Sequence, residues 1–194
     1  MEYTKYFAYG MNTNIGQMAS RCPQAVDLGA AVLPNYEFRF ARVGDVLENP
    51  EFNCQGVLWD LTPECLKALD RLEGYPWMYQ RKFVTVQHNG ESVDALVYYM
   101  VGDNDDEYPS QHYYDMLMEG YTEHGLDTSQ ITDAIKYIEY LETQQVAQEP
   151  NQEYNQSYDD YMINDPDAWG PHVPYDDVED IDYDDLPNDD KRKQ

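Results

Sequence analysis

A chain of 194 residues is long enough for one domain with a sizeable core and short for two. Its 38 acidic residues against 12 basic ones give a formal net charge of -26, divided as -14 over residues 1–148 (23 acids, 9 bases) and -12 over residues 149–194 (15 acids, 3 bases). A field of that sign disfavours direct binding to nucleic-acid phosphates or to anionic membranes, and leaves nucleic-acid mimicry or a basic protein partner open.

No stretch has the apolar length to span a bilayer, and the first residues lack the basic and apolar blocks of a signal peptide, so a cytoplasmic location is expected. Cys22, Cys54 and Cys65 are widely spaced, with no CxxC pair and no neighbouring histidine, which suits reduced structural thiols better than a zinc site.

In chain order, Tyr6 to Tyr9 reads as a strand covered on both faces, Gly10 as a turn, and Asn12 or Thr13 as the cap of a helix. Backbone N–H groups at such a helix head have no internal acceptor and can hold a carboxylate or phosphate; the plainer reading is a tight turn with no ligand. Ile15 to Arg21 has the length of a short helix that Pro23 stops. Val26 to Leu33 and Tyr36 to Arg42 are strand-like runs joined by Pro34-Asn35, a hairpin signal. Gly44 to Asn53, polar and containing Pro50, reads as a loop that could border a site, before the strand Gly56 to Leu61.

Thr62-Pro63-Glu64 sets a cap, a first-turn proline and an acid in the order that starts a helix, and Gly74 with Pro76 behind it ends one. Leu66, Leu69 and Leu72 share a face, which leaves Glu73 at the helix exit. Gln80 to Gln87 and Val93 to Val101 flank Asn89-Gly90, a strong hairpin signal. Pro109-Ser110 opens an amphipathic helix through Tyr113, Met116, Leu117 and Gly120-Tyr121. Gly125 ends it, Asp127 or Thr128 caps the next, and Ile131, Ile135, Ile138 and Leu141 form the last buried stripe.

From Thr143 the chain is rich in Gln, Asn, Asp, Tyr and Pro with few aliphatic residues, a composition expected to be largely disordered. It lacks the Asp-x-Asp-x-Asp-Gly pattern with a distal Glu of a calcium loop. The elements together, about six strands with several in hairpins, one helix between strands and two at the end, indicate an α+β fold whose antiparallel sheet curls into a small barrel. His88, His112, His124 and His172 are scattered with no paired nucleophile, against a Ser-His or Cys-His mechanism.

The strings Tyr6-Phe7-Ala8-Tyr9-Gly10-Met11-Asn12, Gly56-Val57-Leu58-Trp59, Leu69 to Pro76, Tyr79-Gln80-Arg81, and Pro109-Ser110 to Tyr113 with Glu119-Gly120 and Gly125-Leu126 occur in this order. Together they resemble the gamma-glutamylcyclotransferase-like family, with its AIG2-like and gamma-glutamylamine cyclotransferase branches. The resemblance covers residues 5 to 142, a single domain 1–142, and leaves 143–194 as an acidic tail. It implies a compact, mostly antiparallel β-barrel with flanking helices, no metal and no organic cofactor.

By the same resemblance, Tyr9, Gly10, Met11 and Asn12 bind the alpha-amino and alpha-carboxylate end of a gamma-glutamyl group through backbone contacts. Met11 stands where the family most often has serine, so a role for that hydroxyl is absent here. Glu73 matches the catalytic glutamate, which moves a proton from the substrate's alpha-amine to the leaving amine as a 5-oxoproline ring closes. Tyr113 is either core or a substrate contact, and Arg81 is read as structural. The implied partner is a small gamma-glutamyl substrate. The alternative is a non-catalytic acidic binding or inhibitor protein on the same fold, a nucleic-acid mimic or a partner for a basic protein through the tail.

Overall fold

The computed structural model describes residues 3–148. Five strands close into a barrel in the order β1 (Thr4–Ala8), β3 (Val43–Leu61), β2 (Val26–Ala41), β4 (Tyr79–His88), β5 (Glu91–Met100). Every pairing is antiparallel except the one that closes the ring, where β1 meets β5 in parallel at Tyr6 and Leu96. Among the described residues four α-helices flank it: α1 (Ile15–Arg21), α2 (Pro63–Leu72), α3 (Gln111–Glu123) and α4 (Ser129–Gln148). Among the described residues, no helix is long and apolar enough to cross a membrane.

β1 is buried on both sides because alternate residues serve two cores. Phe7 and Tyr9 join Leu33, Phe38, Phe40 and Leu58 beneath Leu117, Tyr121, Ile131 and Ile138 of α3 and α4. Tyr6 and Ala8 join Val57, Trp59 and Leu61 against Met18 and Cys22 at the α1 end and Cys65 and Leu69 of α2. At about 1.5–3 kcal/mol for each large apolar side chain removed from water, these two layers hold the short first strand from opposite faces. Cys22, Cys54 and Cys65 are all buried free thiols.

Two expectations are overturned on the β2–β3 arm. Val26 to Leu33 and Tyr36 to Arg42 form one continuous strand, not two, and Pro34-Asn35 is a bulge in which Asn35 takes φ 65 while the register jumps from Pro34↔Asn53 to Tyr36↔Glu48. The chain reverses instead at Arg42, at φ 64, where Arg42 N–H and Phe40 C=O pair with the backbone of Glu107. Gly44 to Asn53, expected as a loop, is the first half of β3. Its polar residues are accommodated by specific partners: buried Asp45 is paired with Arg39 at 3.2 Å and accepts the Met100 N–H at 2.9 Å. Tertiary pairing here overrides a weak strand propensity.

Other local signals hold at α2, α3 and the β4–β5 turn. Thr62 caps α2 by accepting the Cys65 N–H, with Pro63 in the first turn, and Ser110 caps α3 through the Tyr113 N–H. Asn89 and Gly90, at φ 51 and 81, make the tight β4–β5 turn. Asn12 and Thr13 do not cap α1; they lie in a single 3-10 turn, Met11–Thr13, and the cap is Asn14, which accepts the Gln17 N–H. α4 continues to Gln148, past the boundary expected at 142; the remainder of the expected acidic tail, 149–194, lies outside the described residues.

α3 crosses directly over this turn. A Cβ on Gly120 would lie 2.5 Å from the Asn14 backbone nitrogen and 2.5 Å from Thr13 Oγ1. Gly120→Ala is therefore expected to lift α3 from the turn and cost about 1–3 kcal/mol of stability, read as a lower urea midpoint; an unchanged midpoint would show that the crossing is not tight.

Candidate active site

A cleft of about 300 Å³ opens where the β1 exit, the β2–β3 turn, the C-terminal end of α2 and the start of α3 converge. Tyr9, Gly10, Met11, Asn12, Glu73 and Tyr113, which the sequence placed far apart, all line it. Beside them stand Tyr6, Arg21, Gly44, Leu72, Met78, Tyr79 and Tyr98, which the sequence reading did not single out. Arg81 lies outside the wall: its Nη1 holds both oxygens of buried Asp70 at 2.8 Å, and Tyr98 donates to the same carboxylate at 2.6 Å. It braces the cleft from behind, as a structural residue.

Glu73 is the C-terminal cap of α2, placed there because Gly74, at φ 59, turns the chain back. Its Oε1 accepts from Asn12 Nδ2 at 3.1 Å. Burial pushes its carboxyl up to about 7, against the opposing pull of the Arg21 charge and the Asn12 amide. Of the residues that follow Glu73, Trp77 is 81% exposed and Tyr75 lies with the Arg81 guanidinium over its ring. The buried rings of Tyr6 and Tyr79 line the cleft with Glu73.

The tyrosines divide into two groups by what their hydroxyl protons do. Tyr9 donates to the Tyr98 carbonyl at 2.8 Å, Tyr79 to the Gly44 carbonyl at 3.0 Å, and Tyr98 to Asp70, so those protons are committed. Tyr6 accepts from Asn12 Nδ2 at 3.0 Å, and Tyr113 accepts the Gly44 N–H at 2.9 Å. Among the described residues neither of these two hydroxyls meets an acceptor, and each keeps a proton to donate into the cleft. Burial raises both, Tyr113 to about 12, so both stay protonated near neutral pH.

The closeness of these groups depends on glycine. A Cβ on Gly10 would lie 2.7 Å from the Tyr113 hydroxyl, and one on Gly44 would lie 3.0 Å from it. The N–H groups of Gly10 and Asn12 find no acceptor among the described residues, although both residues line the wall. They are the donors available to an anionic head group. Among the described residues, no group of three or more His, Cys, Asp or Glu is placed to hold a metal ion.

The chain belongs to the gamma-glutamyl cyclotransferase, AIG2-like family, whose model matches residues 6–123. A solved gamma-glutamyl cyclotransferase is similar at 25% identity and a TM-score of 0.61, over 80% of this chain and 93% of its own. An uncharacterized human protein is similar to the same degree, 25% identity and TM-score 0.61, over 80% and 94%. YkqA from Bacillus subtilis, at 24% identity and TM-score 0.61 over 72% of this chain and 55% of its own, shares the fold. No curated protein matches the chain in sequence.

Proposed function

We propose that this chain releases 5-oxoproline and a free amine from a gamma-glutamyl amine or peptide, with Glu73 as the general acid and base. The observation that carries the reading is a half-buried carboxyl pushed up to about 7, lining one cleft with the Tyr9 to Asn12 turn. A proton carrier works best when its pKa lies near the operating pH, because it must both take and return the proton.

In the proposed cycle the substrate's alpha-carboxylate rests on the Gly10 and Asn12 N–H groups and Tyr113 borders the glutamyl chain. Glu73 takes a proton from the alpha-ammonium. The freed amine attacks its own gamma-carbonyl carbon, forming the new C–N bond of a five-membered ring. Charge collects on the carbonyl oxygen, for which Tyr6 and Tyr113 have uncommitted protons. As the tetrahedral centre collapses, the bond to the leaving amine breaks, Glu73 returns its proton to that amine, and the ring nitrogen gives up its second proton to the departing amine or to solvent, leaving the neutral lactam. Folding the substrate back on itself supplies much of the acceleration, since attack within one molecule reaches effective molarities of about 10⁵ M or more.

The reading is tested by incubating a gamma-glutamyl library with the protein and following 5-oxoproline by mass spectrometry. Release from at least one member is expected, and none from any member would overturn it. The rate has a predicted acid limb. Glu73 must be ionised to accept the first proton, so kcat/KM should rise with pH through about 7 and level off above it. A limb centred near 4.5, the ordinary glutamate value, would show that the burial of Glu73 plays no part.

A further inference from the structure

Resting on the cyclotransferase reading, we propose that Arg21 is the positioning residue of this site: its guanidinium fixes the orientation of the Asn12 carboxamide, and through that amide decides which Glu73 oxygen faces the substrate.

Arg21 is the only cation among the described residues of the cleft wall. Its Nη1 donates to Asn12 Oδ1 at 2.7 Å, and its Nη2 reaches Met11 Sδ at 3.1 Å. Asn12, 4% exposed, donates from Nδ2 to both Tyr6 and Glu73 Oε1. A guanidinium has five donors and no acceptor, so the amide oxygen must face it. The flipped amide would set its NH2 against the guanidinium and its oxygen against the carboxylate, two repulsive contacts in a buried setting. Arg21 thus makes the donor arrangement toward Glu73 the stable one.

Two consequences follow for the acid/base. Glu73 Oε1 is occupied by the amide, while Oε2 meets no hydrogen-bond partner among the described residues, which leaves Oε2 as the oxygen that exchanges the proton. Arg21 also acts on Glu73 without an ion pair between them. A direct contact would hold the carboxylate low and remove its basicity, whereas a charge relayed across one amide offsets part of the burial penalty. The Met11 thioether gives Arg21 Nη2 a weak acceptor.

The groups that face Glu73 from neighbouring elements are Arg21 from α1, Asn12 from the 3-10 turn, and the tyrosines Tyr6 of β1, Tyr9 beyond it, Tyr79 of β4 and Tyr113 of α3. Asp45 of β3 acts on Tyr9 and Tyr79, and Asp70 of α2 is turned to Arg81 and Tyr98. Arg21 is the cation in this set.

The experiment compares wild type, Arg21→Met and Arg21→Lys, following the Glu73 carboxyl by carbon NMR across pH, with Glu73→Gln assigning the signal, beside the pH profile of 5-oxoproline release. Arg21→Met keeps an apolar stem and should leave the circular dichroism unchanged. It is expected to raise the Glu73 titration by about 1 pH unit or more, to move the acid limb of kcat/KM with it, and to lower the plateau kcat about tenfold with KM little changed. Arg21→Lys retains the charge but not the planar fork, so the titration should stay within about 0.5 unit of wild type while kcat still falls. An identical Glu73 titration in wild type and Arg21→Met overturns the proposal whatever the turnover. A raised titration in Arg21→Met from a wild type that releases no 5-oxoproline upholds the Arg21 coupling and overturns the enzymatic reading alone.

Discussion

Glu73→Gln is expected to lower 5-oxoproline release about 10²–10⁴-fold, the range supplied by a positioned general acid/base, while the protein stays folded. The amide can occupy the same place, but it can neither accept the ammonium proton nor return it. Stability separates this loss from unfolding. The folded-state pKa of Glu73, about 7, lies above its unfolded value of 4.5, so the folded protein holds this proton more tightly. That contribution is fully present below 4.5 and is lost as pH rises through about 7. Glutamine carries no charge to bury, so the variant should lose this part of the pH dependence and be relatively more stable at pH 8 than at pH 5. Thermal melts at the two values, with mass spectrometry of the product, check both halves. An unchanged rate sinks the catalytic assignment, and a variant that melts early at pH 8 would mean that Glu73 serves the fold instead.

Gly56→Ala is expected to be the most damaging single methyl group in the domain. A Cβ there would sit 2.2 Å from the Ala8 carbonyl oxygen and 2.7 Å from the Phe7 ring. The first is backbone, and the second is the tip of a ring fully buried in the core. Backbone must move, and the backbone concerned is the pairing of β1 with β3, in which Ala8 lies opposite Val57. We expect a loss of roughly 4 kcal/mol or more, a large share of a typical domain's stability. Urea unfolding followed by circular dichroism measures it, and a loss under about 1 kcal/mol would show that the strands can separate at little cost. Because the turn from Tyr9 to Asn12 continues directly from β1, any variant protein that folds should also bind gamma-glutamyl compounds poorly.

Much of this molecule is legible in its sequence where the signal is local. Thr62-Pro63 starts α2, Gly74 ends it beside Glu73, Asn89-Gly90 turns the β4–β5 hairpin, and Ser110 caps α3, each through a backbone group that a neighbouring residue satisfies or permits. Pro34-Asn35 carried the same kind of signal and misled. A proline with an αL asparagine suits a bulge as well as a turn, and the choice lay in whether the flanking runs had a partner long enough to pair with both. Gly44 to Asn53 was misread for the related reason that its polar residues find partners only after folding.

The sequence by itself determined the family, the helices with their caps, and the six candidate residues Tyr9, Gly10, Met11, Asn12, Glu73 and Tyr113, because those features rest on residue types at short spacing. Only the tertiary structure decided that these residues share one cleft, that Tyr6 and Tyr113 keep their protons, and that Arg21 stands behind Asn12. Barrel closure brings Glu73 within a hydrogen bond of a residue 61 positions earlier. Burial then sets its pKa, and burial is a property of everything packed around a group, which no short stretch of sequence encodes.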